Sequence, residues 1–180
     1  RYLADRLAGV ASVGLAWELN LERVAELRPD LILGLDREFE PVYAELSRIA
    51  PTVAVPFGAS SGEWKRFNRG YAEALGAEAV YDDLLADYDA RVAVLADAIA
   101  ARYDEPPAVA VLRANTDNLR SELPGIFVGS VLYADVGLRL PPGLADVHAA
   151  NPEAATMEVS REAFAVAAGA DALVAMAMSP

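Results

Sequence analysis

Residues 20–35 read NLERVAELRPDLILGL, and the fold class follows from how this stretch divides. Asn20 is a helix N-cap, because its short side chain accepts from backbone N–H groups that the first turn leaves unpaired. Glu22 falls in that turn, where the positive end of the helix dipole favours an acid. Leu21, Val24, Ala25 and Leu27 recur at helical spacing, and Pro29 ends the helix because residues before proline avoid the α region. The run Leu31-Ile32-Leu33-Gly34-Leu35 is apolar without alternation, the pattern of a parallel strand buried on both faces. A capped helix, a Pro-Asp link and a buried strand make half of a doubly wound α/β unit.

Upstream, residues 1–7 read as the end of a helix stopped at Gly9, 10–14 (VASVG) as a short strand and 15–19 as a loop. Downstream, 36–38 is a loop, 39–50 a helix with Val42, Tyr43, Leu46 and Ile49 on one face, 51–55 a strand and 56–62 a Gly/Ser loop. Parallel strands joined by right-handed crossovers place their ligands outside the carboxyl ends. The loops 15–19, 36–38 and 56–62 are therefore expected on one rim. A helix at 63–75 ends at Gly76. The helix from 78 to about 103 repeats Val80, Leu84, Tyr88, Val92, Leu95, Ile99 and Tyr103. At ~1.5 Å per residue it runs roughly 38 Å, enough to link two lobes, before Pro106-Pro107 stop it.

A second α/β unit follows. It comprises a strand at 108–112, a polar stretch at 113–123 with a short strand near Leu119, and a helix at 127–136 before Gly137. A loop at 139–152 with three prolines, a strand at 157–159, a helix at 161–168 capped by Ser160 and a strand at 170–177 complete it. The expected organisation is α/β, with two doubly wound lobes on parallel sheets: an N-terminal lobe at 1–77, a linking helix at 78–104 and a C-terminal lobe at 105–180. Each lobe reads as incomplete at its outer end. The halves echo each other, since Asn20-Leu21-Glu22 before PDLIL resembles Ser160-Arg161-Glu162 before ADALV.

Composition narrows the function. Of 180 residues, 54% are apolar, enough for a core, and 27 acids against 15 bases give a net charge of −12. That balance argues against nucleic acid as a partner. No cysteine is present, which excludes disulfides and thiolate metal sites. No apolar run approaches the ~20 residues of a membrane span, and no signal peptide is visible. G-x-G-x-x-G, Walker A and G-x-S-x-G are all missing. His148, the only histidine, reads as a surface loop residue, so neither a triad nor a multi-histidine metal site is expected. The rim residues Trp17, Arg37, Trp64 and Arg113 are the binding candidates. Aromatic faces stack on flat or greasy ligands, and an arginine at a strand's carboxyl end offers a fork of donors to anionic oxygen. Each has a plainer reading: Trp17 packed between loops, Trp64 in helix packing, and Arg37 and Arg113 in surface salt bridges.

The pattern NLE-x-V-x-x-L-x-PDLIL, continued by ELSRIAPTVAVPF at 45–57, resembles the periplasmic binding proteins that serve ABC importers of ferric siderophores, cobalamin and haem. EWKRFNRGYAEALG with the long helix after it, AVAVLRAN, GIFVGSVLYADVGLRLP and MEVSREAFAVAAGADALVAM extend the likeness over nearly the whole chain. The resemblance implies two lobes joined by one rigid helix and an extracytoplasmic, often lipid-anchored protein, expected to be a monomer. It implies no catalysis, no cofactor and no metal ligated by the chain itself. The ligand it implies is a small-molecule iron chelate, a ferric siderophore, with cobalamin or haem as alternatives. In the family a glutamate on each lobe docks to an ABC permease, and the motif positions here are Glu22 and Glu162. From another class, an α/β enzyme domain would use the same rim for a small substrate.

Overall fold

The computed structural model describes residues 5–15, 17–57, 63–114, 118–125, 127–160 and 162–177, with the side chains of Glu63, Phe127, Glu162 and Ala177 left out. Two compact units result, 1–57 and 58–180.

In the first unit, the deciding stretch folds as read. Helix α1 (Leu21–Leu27) is capped by Asn20, whose Oδ1 accepts from Arg23 N at 2.9 Å. Arg28 closes the helix in the left-handed region at φ 48°, ahead of Pro29. Strand β3 (Ile32–Leu35) then pairs in parallel with β4 (Thr52–Val55), Ile32 against Thr52 through Leu35 against Val55. Val24, Phe39 and Leu46 form the core of this unit. Gly34 is required there, because a Cβ would collide with the Phe39 ring.

Two readings are corrected here. No strand spans 10–14; instead β1 (Gly14–Leu15) and β2 (Glu18–Leu19) make a two-residue antiparallel hairpin, and Gly14 sits at φ 105°, a conformation that a residue with a Cβ resists. The helix expected at 39–50 starts earlier and is broken. α2 (Asp36–Phe39) is followed by a 3-10 turn (Glu40–Val42) and α3 (Tyr43–Ile49), since Pro41 supplies no N–H to a continuous ladder.

The second unit begins with α4 (Glu63–Leu75), turns at Gly76 with φ 62°, and continues in α5 (Glu78–Arg102). Its sheet has the order β7-β6-β5-β8, built from β5 (Val109–Ala114), β6 (Leu119–Glu122), β7 (Thr156–Val159) and β8 (Ala172–Ala177). β5 and β8 are parallel, whereas β6 is antiparallel to both β5 and β7, so this sheet is mixed. One face is covered by α6 (Phe127–Gly129) and the π-helical turn that extends it (Ser130–Asp135). There Tyr133 packs with Val109 and Val111. The opposite core joins Ala110, Leu123, Leu144 and Ala167, bringing in α7 (Pro142–Ala150) and the 3-10 turn Glu162–Ala167.

Helix α7 replaces the loop expected at 139–152. Proline near a helix start costs nothing, because that N–H has no helical partner, and Leu144 is fully buried beneath it. The helix expected at 161–168 is a 3-10 turn, yet Ser160 caps it as read: its Oγ accepts from Ala163 N at 3.1 Å.

Candidate functional site

The second unit gathers its candidate groups on one sheet face. Side chains alternate along a strand, so Val109, Val111 and Arg113 of β5 point one way. In register, Met176 of β8 lies beside Arg113 and Val174 beside Val111. Arg120 of β6 is directly opposite Arg113, which puts both on this face, together with Glu122 two residues on. Arg113 Nε stands 3.0 Å from Glu122 Oε1, with the carboxylate side chain 1% exposed and the arginine 19%. The two charges touch without aligned hydrogen-bond geometry, and Glu122 Oε2 accepts no hydrogen bond among the described residues. Burial pushes the Glu122 carboxyl above its ordinary pKa, against the opposing pull of Arg113 and then Arg120. Beneath this end of the sheet, the Tyr133 hydroxyl donates to Val109 O at 2.9 Å, and burial raises its pKa to about 12.

Apolar walls adjoin these charges. Trp64, Val128, Val131, Leu132, Val174 and Met176 line a pocket of about 500 Å³. The Trp64 indole N–H is buried with no acceptor among the described residues. Its ring meets Tyr88 edge-on, with centroids 4.9 Å apart, and Trp64 also lines a second apolar pocket of about 410 Å³ between α4 and α5. A polar knot fixes this region. Asp135 accepts from Lys65 Nζ at 3.1 Å and from the Tyr88 hydroxyl at 2.6 Å, and Lys65 also reaches Asp89 at 3.3 Å. For Lys65, burial opposes the charge, but Asp135 and Asp89 outweigh it and raise its pKa. Burial and the bond to Asp135 raise that of Tyr88.

In the first unit, Arg37 lies at the carboxyl end of β3 as read, within the first turn of α2 rather than in a loop. Its guanidinium stacks 4.4 Å over the Phe57 ring, and its Nε donates to Glu38 at 2.9 Å. Asp36 Oδ1 accepts from Arg37 N at 2.7 Å and Phe57 N at 3.1 Å, which ties together the ends of β3 and β4. Arg37 and Phe57 line an open pocket of about 550 Å³ with Asp36, Glu40, Tyr43 and Ala54. Trp17 sits at the hairpin turn and is 80% exposed. Residues 58–62 of the third rim loop lie outside the described residues.

Glu22 is exposed in the first turn of α1. The carboxylate of Glu162 lies outside the described side chains; its backbone opens the 3-10 turn. His148 belongs to the last turn of α7 rather than to a loop, and its Nδ1 is buried without a partner among the described residues. Among the described residues no cluster of His, Asp or Glu is placed to hold a metal ion.

Sequence reasoning missed Glu122 and Arg120. The alternation of Leu119, Arg120, Ser121 and Glu122 was the available signal: it marks a strand, and a strand beside Arg113 brings both charges to it.

The description "Periplasmic binding protein" heads the family whose sequence model matches residues 2–177. The chain belongs to that family. Periplasmic binding proteins of similar sequence include the achromobactin-binding periplasmic protein of Dickeya dadantii, 33% identical over 168 residues, which is 92% of this chain and 52% of the relative. Another is the probable siderophore-binding lipoprotein YfiY of Bacillus subtilis, 36% identical over 73% of this chain and 39% of its own length. The chain thus spans about half the length, or less, of the curated relatives it matches. Among solved structures, Staphylococcus aureus SirA complexed with staphyloferrin B matches all of this chain and 60% of its own, with a TM-score of 0.84 and 30% identity. S. aureus FhuD2 with bound ferrioxamine B, at 22% identity and a TM-score of 0.78, shares the fold.

Proposed function

We propose that the protein is an extracytoplasmic solute-binding protein that captures a ferric siderophore and delivers it to an ABC importer. The observation that carries this reading is the pairing, on one sheet face of the second unit, of Arg113 with an apolar pocket walled by Trp64. A siderophore complex presents both characters: oxygen donors with negative charge around the metal and apolar linkers between them. An arginine fork takes the first and an aromatic wall the second. Trp17 and Arg37 are the ligand contacts of the first unit in this reading, and residues 78–104 serve as the rigid spacer between lobes. The siderophore fills the iron coordination sphere itself, so the chain needs no metal ligands. Support comes from the Dickeya relative, named for binding achromobactin, and from SirA, whose structure holds staphyloferrin B.

Glu22 and Glu162 are the permease-docking acids in this proposal. Two acids at fixed spacing engage two basic pockets at once, so the second contact gains from high effective concentration.

The test is titration of the full-length protein with ferric siderophores, cobalamin and haem, followed by tryptophan fluorescence. Saturable quenching by a ferric siderophore, with the chelate recovered unchanged, is the expected result. Saturation by cobalamin or haem alone, or chemical conversion of the ligand, would overturn the reading.

A further inference from the structure

We propose that Gly143 is a positioning residue for partner docking: its missing side chain lets α7 lie against the backbone of the turn that begins at Glu162, and so fixes where that turn carries its acid. The inference rests on the docking role proposed above for Glu162 and adds the residue that holds it in place.

The turn Glu162–Ala167 is a 3-10 run of six residues. Such runs seldom exceed ~3–4 residues, because their hydrogen bonds are poorly aligned, so this one depends on its surroundings. At its start Ser160 Oγ accepts from Ala163 N at 3.1 Å. Its inner side is held by α7: Ala167 is buried with Leu144, and Val166 and Val147 pack against that core. Its outer side is open, with Phe164 and Ala165 exposed. Gly143, in the first turn of α7, is where backbone meets backbone. A Cβ there would stand 2.7 Å from Val166 O and 3.1 Å from Val166 Cα, inside the 3.4 Å at which ordinary contact begins. Both atoms are main-chain, so no side-chain rotation relieves the collision. Gly143 does not have a positive φ, and glycine is the poorest helix former after proline. Space, not backbone freedom, is what the position demands. The same two elements meet again at Gly169, where a Cβ would stand 3.3 Å from Pro142 Cδ.

Docking through charge depends on place. Charge pairs across an interface set register and encounter rate, and the gain from two simultaneous contacts is lost when the geometry forbids both. Val166 belongs to the same short turn as Glu162, so pushing its carbonyl off α7 moves the backbone from which the docking acid projects. Arg113 lies on the other face of the sheet, with Val111 and the Tyr133 core, so the proposed ligand contact is spared.

The experiment uses the full-length protein and reads two affinities. Tryptophan quenching measures ferric staphyloferrin B, or ferrioxamine B where wild type prefers it, and surface-immobilised binding measures the ABC permease in lipid nanodiscs. Gly143→Ala should bind the siderophore within about twofold of wild type and the permease about tenfold more weakly. Val147→Ala trims the packing of α7 into the same core and adds no atom against the turn. It should lower the thermal midpoint yet keep permease affinity within about twofold. In a Glu162→Ala background, Gly143→Ala should change permease affinity less than about twofold, because its effect passes through Glu162. Where Gly143→Ala does not fold, Gly169→Ala, which crowds the same two elements at Pro142, makes the same comparisons. The proposal is overturned if Gly143→Ala docks as tightly as wild type or loses siderophore affinity in step. It is also overturned if Val147→Ala weakens docking as much, or if the loss persists undiminished in the Glu162→Ala background. A Glu162→Ala protein that docks as wild type does overturns the docking role proposed above, and this inference with it. The other outcomes overturn this inference alone.

Discussion

Replacing Arg113 with alanine removes the cation that stands 3.0 Å from a buried carboxylate. Read from the sequence, an arginine at a strand's end is a rim residue whose loss leaves stability unchanged. The position of Glu122 reverses that expectation. The orphaned carboxylate either stays charged in a dry site or takes up a proton. Protonating at pH 7 a group whose ordinary value is 4.5 costs about 3.4 kcal/mol, at 1.36 kcal/mol per unit, and this is the ceiling on the damage. Burial has already raised the Glu122 pKa in the parent, so part of that cost is present before the change. A loss of about 2–3 kcal/mol is expected at neutral pH, below the 3–5 kcal/mol of a fully buried broken pair. The sign of the pH dependence follows from the raised pKa. A carboxyl whose folded pKa lies above its unfolded one favours folding below the unfolded value, and that advantage fades as pH rises through the folded value. The ceiling falls to about 0.7 kcal/mol at pH 5, so the gap between parent and variant should widen from pH 5 to pH 7. Urea unfolding of the ligand-free protein at both pH values measures it, and Arg113→Ala with Glu122→Gln should recover most of the loss. A loss below ~0.5 kcal/mol at pH 7, or one that the second substitution does not relieve, would refute the reasoning.

Asp135→Ala should destabilise the second unit by ~2–3 kcal/mol, because Lys65 and Tyr88 both lose a charged partner; urea unfolding followed by Trp64 emission in a Trp17→Phe background measures this. Arg28→Gly should stabilise by ~0.5–1 kcal/mol, since glycine enters the left-handed region without the Cβ penalty paid at φ 48°; the thermal midpoint should rise. Tyr133 ionises only at about 12 when folded, so stability should fall as pH rises from the ordinary tyrosine value of 10 through that point, and Tyr133→Phe should lack that component in alkaline unfolding curves. Replacing both Glu22 and Glu162 with alanine should spare siderophore affinity and impair uptake through the permease more than either single change does; normal transport by the double variant would remove them from the docking role.

What was legible in the sequence was local. Asn20, Pro29 and the unbroken apolar run at 31–35 act on their own neighbours, and α1 and β3 follow from them directly. Gly76, and Pro106 with Pro107, bound α5 for the same reason. Failures arose where a local signal had two outcomes. Pro41 falls inside the helix expected at 39–50 and divides it, whereas Pro141 and Pro142 read as loop and instead start α7, where Leu144 has a core to enter. The candidate site divides in the same way. Arg37 and Arg113 are found from their place after strands. The partner of Arg113 depends on β6 folding back antiparallel beside β5, and nothing within residues 119–122 announces that Glu122 will be buried.

The widened turn at 130–135 has a history written into its geometry. Val136 N bonds Val131 O at 2.9 Å and Leu138 N bonds Leu132 O at 3.0 Å, each reaching farther back than an ordinary helix allows. Such a turn is what an α-helix becomes when it absorbs one additional residue. A homologue one residue shorter here would close as regular α-helix, and everything after the deletion would swing by about 100°. Its counterpart of Asp135 would then face away from the lysine and tyrosine that grip it here. An alignment with such a shorter homologue would place its gap between Ser130 and Val136, and that gap would mark the loss or rebuilding of the helix-to-helix knot.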